Sequence, residues 1–109
     1  MRPIPFRLLI HGATLKHPTG TDAFQKRTYA ETALRRVRFE PATRISKTKD
    51  NTEKTFGTVL YFDCARSLPR GTEFAPGDRV VFDGTEYEVG GVERLYDSSR
   101  LHHFEIGLM

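Results

Sequence analysis

The sequence predicts an all-β fold, a small antiparallel and partly closed β-barrel of about six strands. Three observations carry that prediction. Asp83-Gly84 is the strongest short hairpin signal in the chain, and β-branched and aromatic runs flank it. Most other apolar residues fall in short alternating runs, as half-buried strands require. Clusters of Gly, Pro, Asp and Ser separate these runs, and no segment sustains a long helical spacing.

Taken in order, Pro3 and Pro5 forbid helix and predict an extended arm over residues 1–5. Residues 6–17 read as a strand, with Phe6, Leu8 and Ile10 on one face and Arg7, Leu9 and His11 on the other. Gly12 marks a candidate bulge within it. Residues 17–22 read as a loop by composition. Residues 28–40 carry two signals. Ala30, Ala33, Leu34 and Val37 fit helical spacing, whereas 36–40 alternate as a strand that Pro41 ends. Spacing leaves 28–35 open between strand and a short helical turn. Residues 42–55 are the most polar stretch and predict a long mobile loop, or an extended and flexible hairpin tip.

Residues 56–64 are apolar on both faces, with Phe56, Leu60, Phe62 and Cys64 on one and Val59 and Tyr61 on the other. Such a strand is covered on both sides or turns one face to a partner. The hairpin fixes its own register: Phe82 opposite Thr85, Val81 opposite Glu86, Val80 opposite Tyr87 and Arg79 opposite Glu88. Val80, Phe82, Tyr87 and Val89 then share the core face, and Arg79 and Glu88 form an opposite-charge cross-strand pair on the other. Gly90-Gly91 permits a bend or bulge, Asp97-Ser98-Ser99-Arg100 reads as a turn, and residues 101–109 form the closing strand. That strand places His102, Phe104, Ile106 and Leu108 on one face and His103 and Glu105 on the other.

A chain of 109 residues has room for one domain, 1–109, with one modest core. Lys and Arg number 17 against 14 Asp and Glu, a mild excess that falls short of a dedicated nucleic-acid binder. Cys64 is alone, which excludes an intrachain disulfide and a thiolate metal cluster; its apolar neighbours predict a small buried residue. No apolar run approaches the ~20 residues that span a bilayer. The N-terminus also lacks a signal peptide's apolar stretch, so the expectation is a chain made in the cytosol with no membrane partner.

Catalytic chemistry finds little support. Neighbouring residues of a strand point to opposite faces, so His102-His103 is not expected to chelate one metal. The acids Asp63, Asp83, Glu86 and Asp97 sit at turns or on outward faces, and no nucleophile elbow, phosphate loop or paired-histidine motif occurs. The expectation is no enzyme and no cofactor. Arg44, Lys47, Lys49 and Lys54 populate one polar stretch, with Asp50 and Glu53 diluting them. They read either as a solvated loop or as a flexible segment that faces a polyanion such as DNA or orders on a protein partner.

The order Ile-Pro-Phe-Arg-Leu-Leu-Ile-His, Val-Arg-Phe-Glu-Pro, Tyr-Phe-Asp-Cys, Pro-Gly-Asp-Arg-Val-Val-Phe-Asp-Gly-Thr-Glu-Tyr-Glu-Val and Leu-Tyr-Asp followed by Leu-His-His-Phe-Glu-Ile spans nearly the whole chain. It resembles the small minor capsid proteins of tailed phages and prophages, and through them the head-completion proteins, the adaptors and stoppers between portal and tail. The resemblance implies a structural virion protein, made in a bacterial host, that assembles as a homo-oligomeric ring below the portal. It implies portal or adaptor and tail-side partners, proximity to phage DNA, and no catalytic residues. Under that reading Arg44, Lys47, Lys49 and Lys54 are candidate channel-facing residues. Pro3, Pro5, Phe6, Phe56, Val59 and Tyr61 are candidate assembly contacts, because proline-rich ends and an exposed apolar strand suit a ring whose neighbours cover its edges. The competing reading is a small nucleic-acid-binding barrel, SH3-like or OB-like, which needs aromatics on an open sheet face. A metal-dependent or hydrolytic enzyme is the third.

Overall fold

The computed structural model describes the backbone of residues 2–47 and 53–109, with side chains described for 2–41 and 57–109. Six antiparallel strands form the fold: β1 (His11–Thr21), β2 (Arg27–Lys47), β3 (Glu53–Asp63), β4 (Arg79–Phe82), β5 (Thr85–Asp97) and β6 (Arg100–Leu108). They close in the order β1-β2-β3-β6-β5-β4, and β4 pairs back onto β1 through Thr14↔Val81, Leu15↔Val80 and Lys16↔Arg79. The barrel predicted from alternation and turn residues is therefore present and closed.

The Asp83-Gly84 hairpin has the expected register, Phe82↔Thr85 through Arg79↔Glu88. Asp83 at φ 50° and Gly84 at φ 77° adopt the left-handed pair that a type I′ turn requires. One detail differs: Arg79 makes its ion pair with Glu86 at 3.5 Å, and Lys16 of the neighbouring strand joins Glu86 at 3.1 Å. Gly90 falls at a register shift between Val89 and Gly91, as the glycine pair foreshadows.

Interior side chains come from every strand. Leu15, Leu34, Val37, Phe39, Leu60, Phe62, Val80, Val89, Phe104, Ile106 and Leu108 form one cluster, and Phe74 from the β3–β4 connection joins it. Phe62, Phe74 and Phe104 meet with ring centroids 5.4–6.2 Å apart, in the tilted and edge-on geometries aromatic pairs favour. Phe39 stacks on Phe82 at 3.9 Å, and His11 stands edge-on to both rings.

Residues 28–35 are strand, and the helical look of their spacing has a local cause. The β1–β2 register shifts between His11↔Val37 and Gly12↔Arg35, leaving Arg36 as an extra residue at φ 57°. A bulge of this kind moves the inward positions by one. Leu34 and Val37 both reach the core, three apart rather than two.

Three boundaries depart from expectation. Phe6–Leu8 is a single 3-10 turn, so the first strand begins at His11. Pro18 does not open a loop: β1 continues to Thr21, with Pro18 opposite Tyr29. Pro41 does not end β2, which runs on to Lys47 with Pro41 opposite Thr58. Both prolines share a physical excuse. β1 has lost β4 after Lys16, and β2 has lost β1 after Val37, so each proline lies where its strand has one neighbour and a missing N–H breaks no second ladder.

Those extensions form two ribbons. β1 and β2 run past the barrel to the turn at 22–26, and β2 and β3 run past it from Pro41↔Thr58 to Lys47↔Glu53. They lie at the two ends of one 21-residue strand. At ~3.3 Å per residue a straight strand of that length would be about 70 Å long. The whole chain measures 47 Å along its longest axis, so β2 bends strongly around the barrel. The predicted 42–55 loop thus contains paired strand at 44–47 and 53–55, after a register shift between Pro41 and Arg44, which is the extended-hairpin alternative. Residues 48–52, Lys49 included, lie outside the described residues.

Candidate assembly surface

The N-terminal segment has no strand pairing to the barrel. It is held by polar contacts at the open end of β3. The Asp63 carboxylate is fully buried: Oδ2 accepts the Ile4 N–H at 2.8 Å, and Oδ1 accepts the Ala65 and Arg66 N–H groups, each at 2.9 Å. The Arg66 guanidinium donates to the Ile4 carbonyl at 3.2 Å. Ser67 Oγ accepts the Asp63 N–H and donates to the Arg36 carbonyl, which fastens the same corner to the β2 bulge. A single buried carboxylate therefore organises the turn and the arm, and Ser67 beside it makes the bulge contact. Sequence reasoning placed Asp63 at a turn or outward face and missed its burial.

Apolar side chains follow these tethers. Phe6 lies under two guanidinium groups, Arg66 at 4.2 Å and Arg36 at 4.9 Å from its ring centroid. Leu9 is buried, whereas Phe6, Leu8 and Ile10 are 51%, 39% and 64% exposed. A cleft of about 320 Å³ runs beside them, lined by Ile4, Leu8, Arg38, Glu40, Tyr61 and His103. The predicted contact residues Pro3, Pro5, Phe6 and Tyr61 fall in or around this region, on one side of the molecule. Val59 does not: it is fully buried, so the expectation that it is displayed for a partner is corrected. It is registered between Glu40 of β2 and Gly107 of β6, closed in from both sides. The side chains of Phe56, Arg44, Lys47 and Lys54 lie outside the described ones.

A second exposed feature went unnoticed in the sequence. Phe24 is 84% exposed at the tip of the β1–β2 ribbon. Asp22 shapes that tip, its Oδ1 accepting the Phe24 N–H at 2.8 Å and the Lys26 N–H at 3.0 Å. Gln25 takes φ 66° and its N–H reaches the Asp22 carbonyl at 3.1 Å. The expected loop at 17–22 lies one ribbon short of this turn: 17–21 are strand, and the turn falls at 22–26.

The other titratable candidates make contacts within the fold. Asp78 is buried and receives His17 Nδ1–H at 2.6 Å and the Ala75 N–H at 3.0 Å. His11 Nδ1 accepts the Phe39 N–H at 3.0 Å. Cys64 is partly buried against the core, and burial, with Asp63 and Glu73 nearby, pushes its thiol up and away from the reactive thiolate. Among the described residues, no group of three or more His, Cys, Asp and Glu side chains is arranged to hold a metal ion. The expectation that His102 and His103 point apart is overturned, however: their rings meet at 4.9 Å.

A family model described as minor capsid protein matches residues 5–108. Among solved structures, the chain is similar to the phage-like element PBSX protein xkdH from Bacillus subtilis, at 12% identity over 91% of both chains with a TM-score of 0.48. No curated protein matches.

Proposed function

The chain belongs to the minor capsid protein family, and from that premise we propose that it completes the head or joins head to tail in a tailed phage or prophage, assembling as a ring below the portal. Its role is mechanical and non-enzymatic. It is made in the bacterial host cytoplasm and ends in the virion. The observation that carries this reading is the closed barrel with ribbons at the two ends of β2. A closed sheet offers no free edge within the barrel for a neighbour to extend. Association then runs through projections and side surfaces, and projections at opposite ends suit head-to-tail contacts that close into a ring.

In this reading the β2–β3 ribbon, which carries Arg44, Lys47 and Lys54 with Lys49 between its strands, faces the DNA channel. The N-terminal segment and the Phe24 tip meet neighbouring copies, the portal or adaptor, and tail-side proteins. The free nucleic-acid-binding barrel is disfavoured because Phe39, Phe62, Phe74 and Phe104 are buried inside rather than spread on an open sheet face.

The test is genetic and biochemical. Particles produced without this chain are expected to accumulate as filled or leaking heads beside free tails, and adding the purified protein restores joining. Normal yields of joined, infectious particles in its absence would overturn the proposal.

A further inference from the structure

The β5–β6 ladder contains a second irregularity, at the start of β6. Leu95 lies opposite His103 and Tyr96 opposite Leu101, so His102 is left without a partner on β5. A bulged residue is turned out of the alternation. His102 consequently joins His103 on one side of the sheet, with the rings nearly perpendicular at 83°.

A continuous hydrogen-bonded chain follows. His102 Nε2 lies 2.6 Å from the Arg2 carbonyl oxygen, His102 Nδ1 lies 2.7 Å from His103 Nδ1, and His103 Nε2 lies 3.0 Å from Glu105 Oε2. Proton counting restricts it. The carbonyl only accepts, so His102 Nε2 carries a hydrogen. One Nδ1 must donate and the other accept. A glutamate carboxylate only accepts, so His103 Nε2 carries a hydrogen too. Two neutral imidazoles supply two N–H groups, and this chain needs three. The closed arrangement therefore holds one extra proton, shared by the ring pair and balanced by Glu105. Remove it, and one of the three contacts loses its donor: two lone pairs face each other at Nδ1, or a lone pair faces the Glu105 carboxylate, or a lone pair faces the Arg2 carbonyl and the arm loses its bond. Add another, and two N–H groups collide at the Nδ1 contact.

We propose that His102, His103 and Glu105 form a one-proton latch on the N-terminal arm. The arm is docked while the pair holds a single extra proton, and it loosens on either side of that state. Imidazole is the side chain whose charge changes most readily near neutral pH, so the state of the pair follows pH. The surroundings carry both signs. Tyr61 of β3 stacks on His103 at 6.3 Å, and Arg38 and Glu40 of β2 line the same cleft. Asp63 at the end of β3, Cys64 just after it, Asp97 of β5 and Arg100 of β6 line the cleft beside His102, and Glu93 of β5 is registered opposite Glu105. Opening the latch removes the Arg2 tether and leaves the arm on its Asp63 and Arg66 contacts alone, so Ile4 and Leu8 leave the cleft they share with Tyr61 and His103 more often, which gives a partner access to an apolar surface. The latch is a property of the isolated chain and does not depend on the head-completion reading.

The experiment measures amide-exchange protection of Ile4 in the full chain from pH 4.5 to 9, alongside ¹⁵N NMR of the histidine rings. Protection is expected to fall about tenfold, the weight of one net hydrogen bond, on both the acid and the alkaline side. In the protected state both Nε2 atoms carry a hydrogen and one further proton lies between the two Nδ1 atoms. Glu105→Gln is the discriminating variant. Its amide N–H can donate to a neutral His103 Nε2, so the chain closes without the extra proton and the alkaline loss disappears. Flat protection in the parent chain, or an alkaline loss unchanged in Glu105→Gln, would overturn the proposal.

Discussion

The Asp63 carboxylate accepts the Ile4 N–H at 2.8 Å, joining the N-terminal arm to the end of β3 across 59 residues of sequence. The same carboxylate caps the turn that follows β3, through Ala65 and Arg66. Fold and candidate assembly surface thus depend on one buried side chain.

Asp63→Ala leaves three backbone donors without that acceptor. Unfolding in denaturant should show a loss of about 2–4 kcal/mol, since each unsatisfied buried group costs ~1–3 kcal/mol and some regain water. Asp63→Asn keeps an acceptor oxygen and should lose less. Both variants should expose the arm to trypsin after Arg7 sooner than the parent; equal cleavage rates would show that the Ile4 tether does not hold the arm.

The hairpin turn should behave as scaffold. Gly84 has φ 77°, a conformation that costs an L-residue roughly 1–2 kcal/mol. Gly84→Ala should lower stability by about that amount, measured by thermal unfolding, while any protein that remains folded keeps its ability to join heads to tails. Unchanged stability with lost joining would make the hairpin a contact surface.

Phe24 makes the opposite prediction. A residue 84% exposed contributes little to folding, so Phe24→Ser should change stability by no more than ~0.5 kcal/mol. Incorporation into particles, followed by mass spectrometry of purified virions, should fall sharply. Normal incorporation would remove the ribbon tip from the assembly surface.

Cys64 gives a pH dependence with a defined sign. Burial, reinforced by Asp63 and Glu73, raises its pKa above the unfolded value. The neutral thiol is favoured in the fold, so its contribution to stability is complete below the unfolded thiol's pKa and is lost as pH rises through the folded value. Relative to Cys64→Ala, the parent should lose stability only in that alkaline range. Alkylation by iodoacetamide at pH 8 should also run slower than for the unfolded chain; faster alkylation of the folded protein would contradict the assignment.

The sequence was most informative where one residue pair dictates backbone geometry. Asp83-Gly84 sets φ at two positions, and the register of eight residues follows without reference to the rest of the molecule. It was least informative where the ladder carries an extra residue. The bulge at Arg36 spaces Leu34 and Val37 as a helix would, and the bulge at His102 brings adjacent histidines together where alternation separates them. Whether a strand contains a bulge depends on its partner's length and hydrogen bonds, information that lies elsewhere in the chain. Pro18 and Pro41 misled for a related reason: a proline ends a strand only if both ladders need its N–H, and the loss of one neighbour is a property of the barrel. The candidate assembly surface was half legible. Pro3, Pro5 and Phe6 announced an arm, but nothing local announced Asp63 as its anchor or distinguished buried Val59 from half-exposed Tyr61.

Electron cryomicroscopy of the head–tail junction in intact virions tests the central claim most directly. The account predicts a ring of six-stranded barrels between portal and tail, each fitted by this fold, with the β2–β3 ribbon toward the DNA channel and the N-terminal segment at a protein contact. A junction fully accounted for by other proteins, with this chain on the capsid shell or absent from the particle, would contradict it.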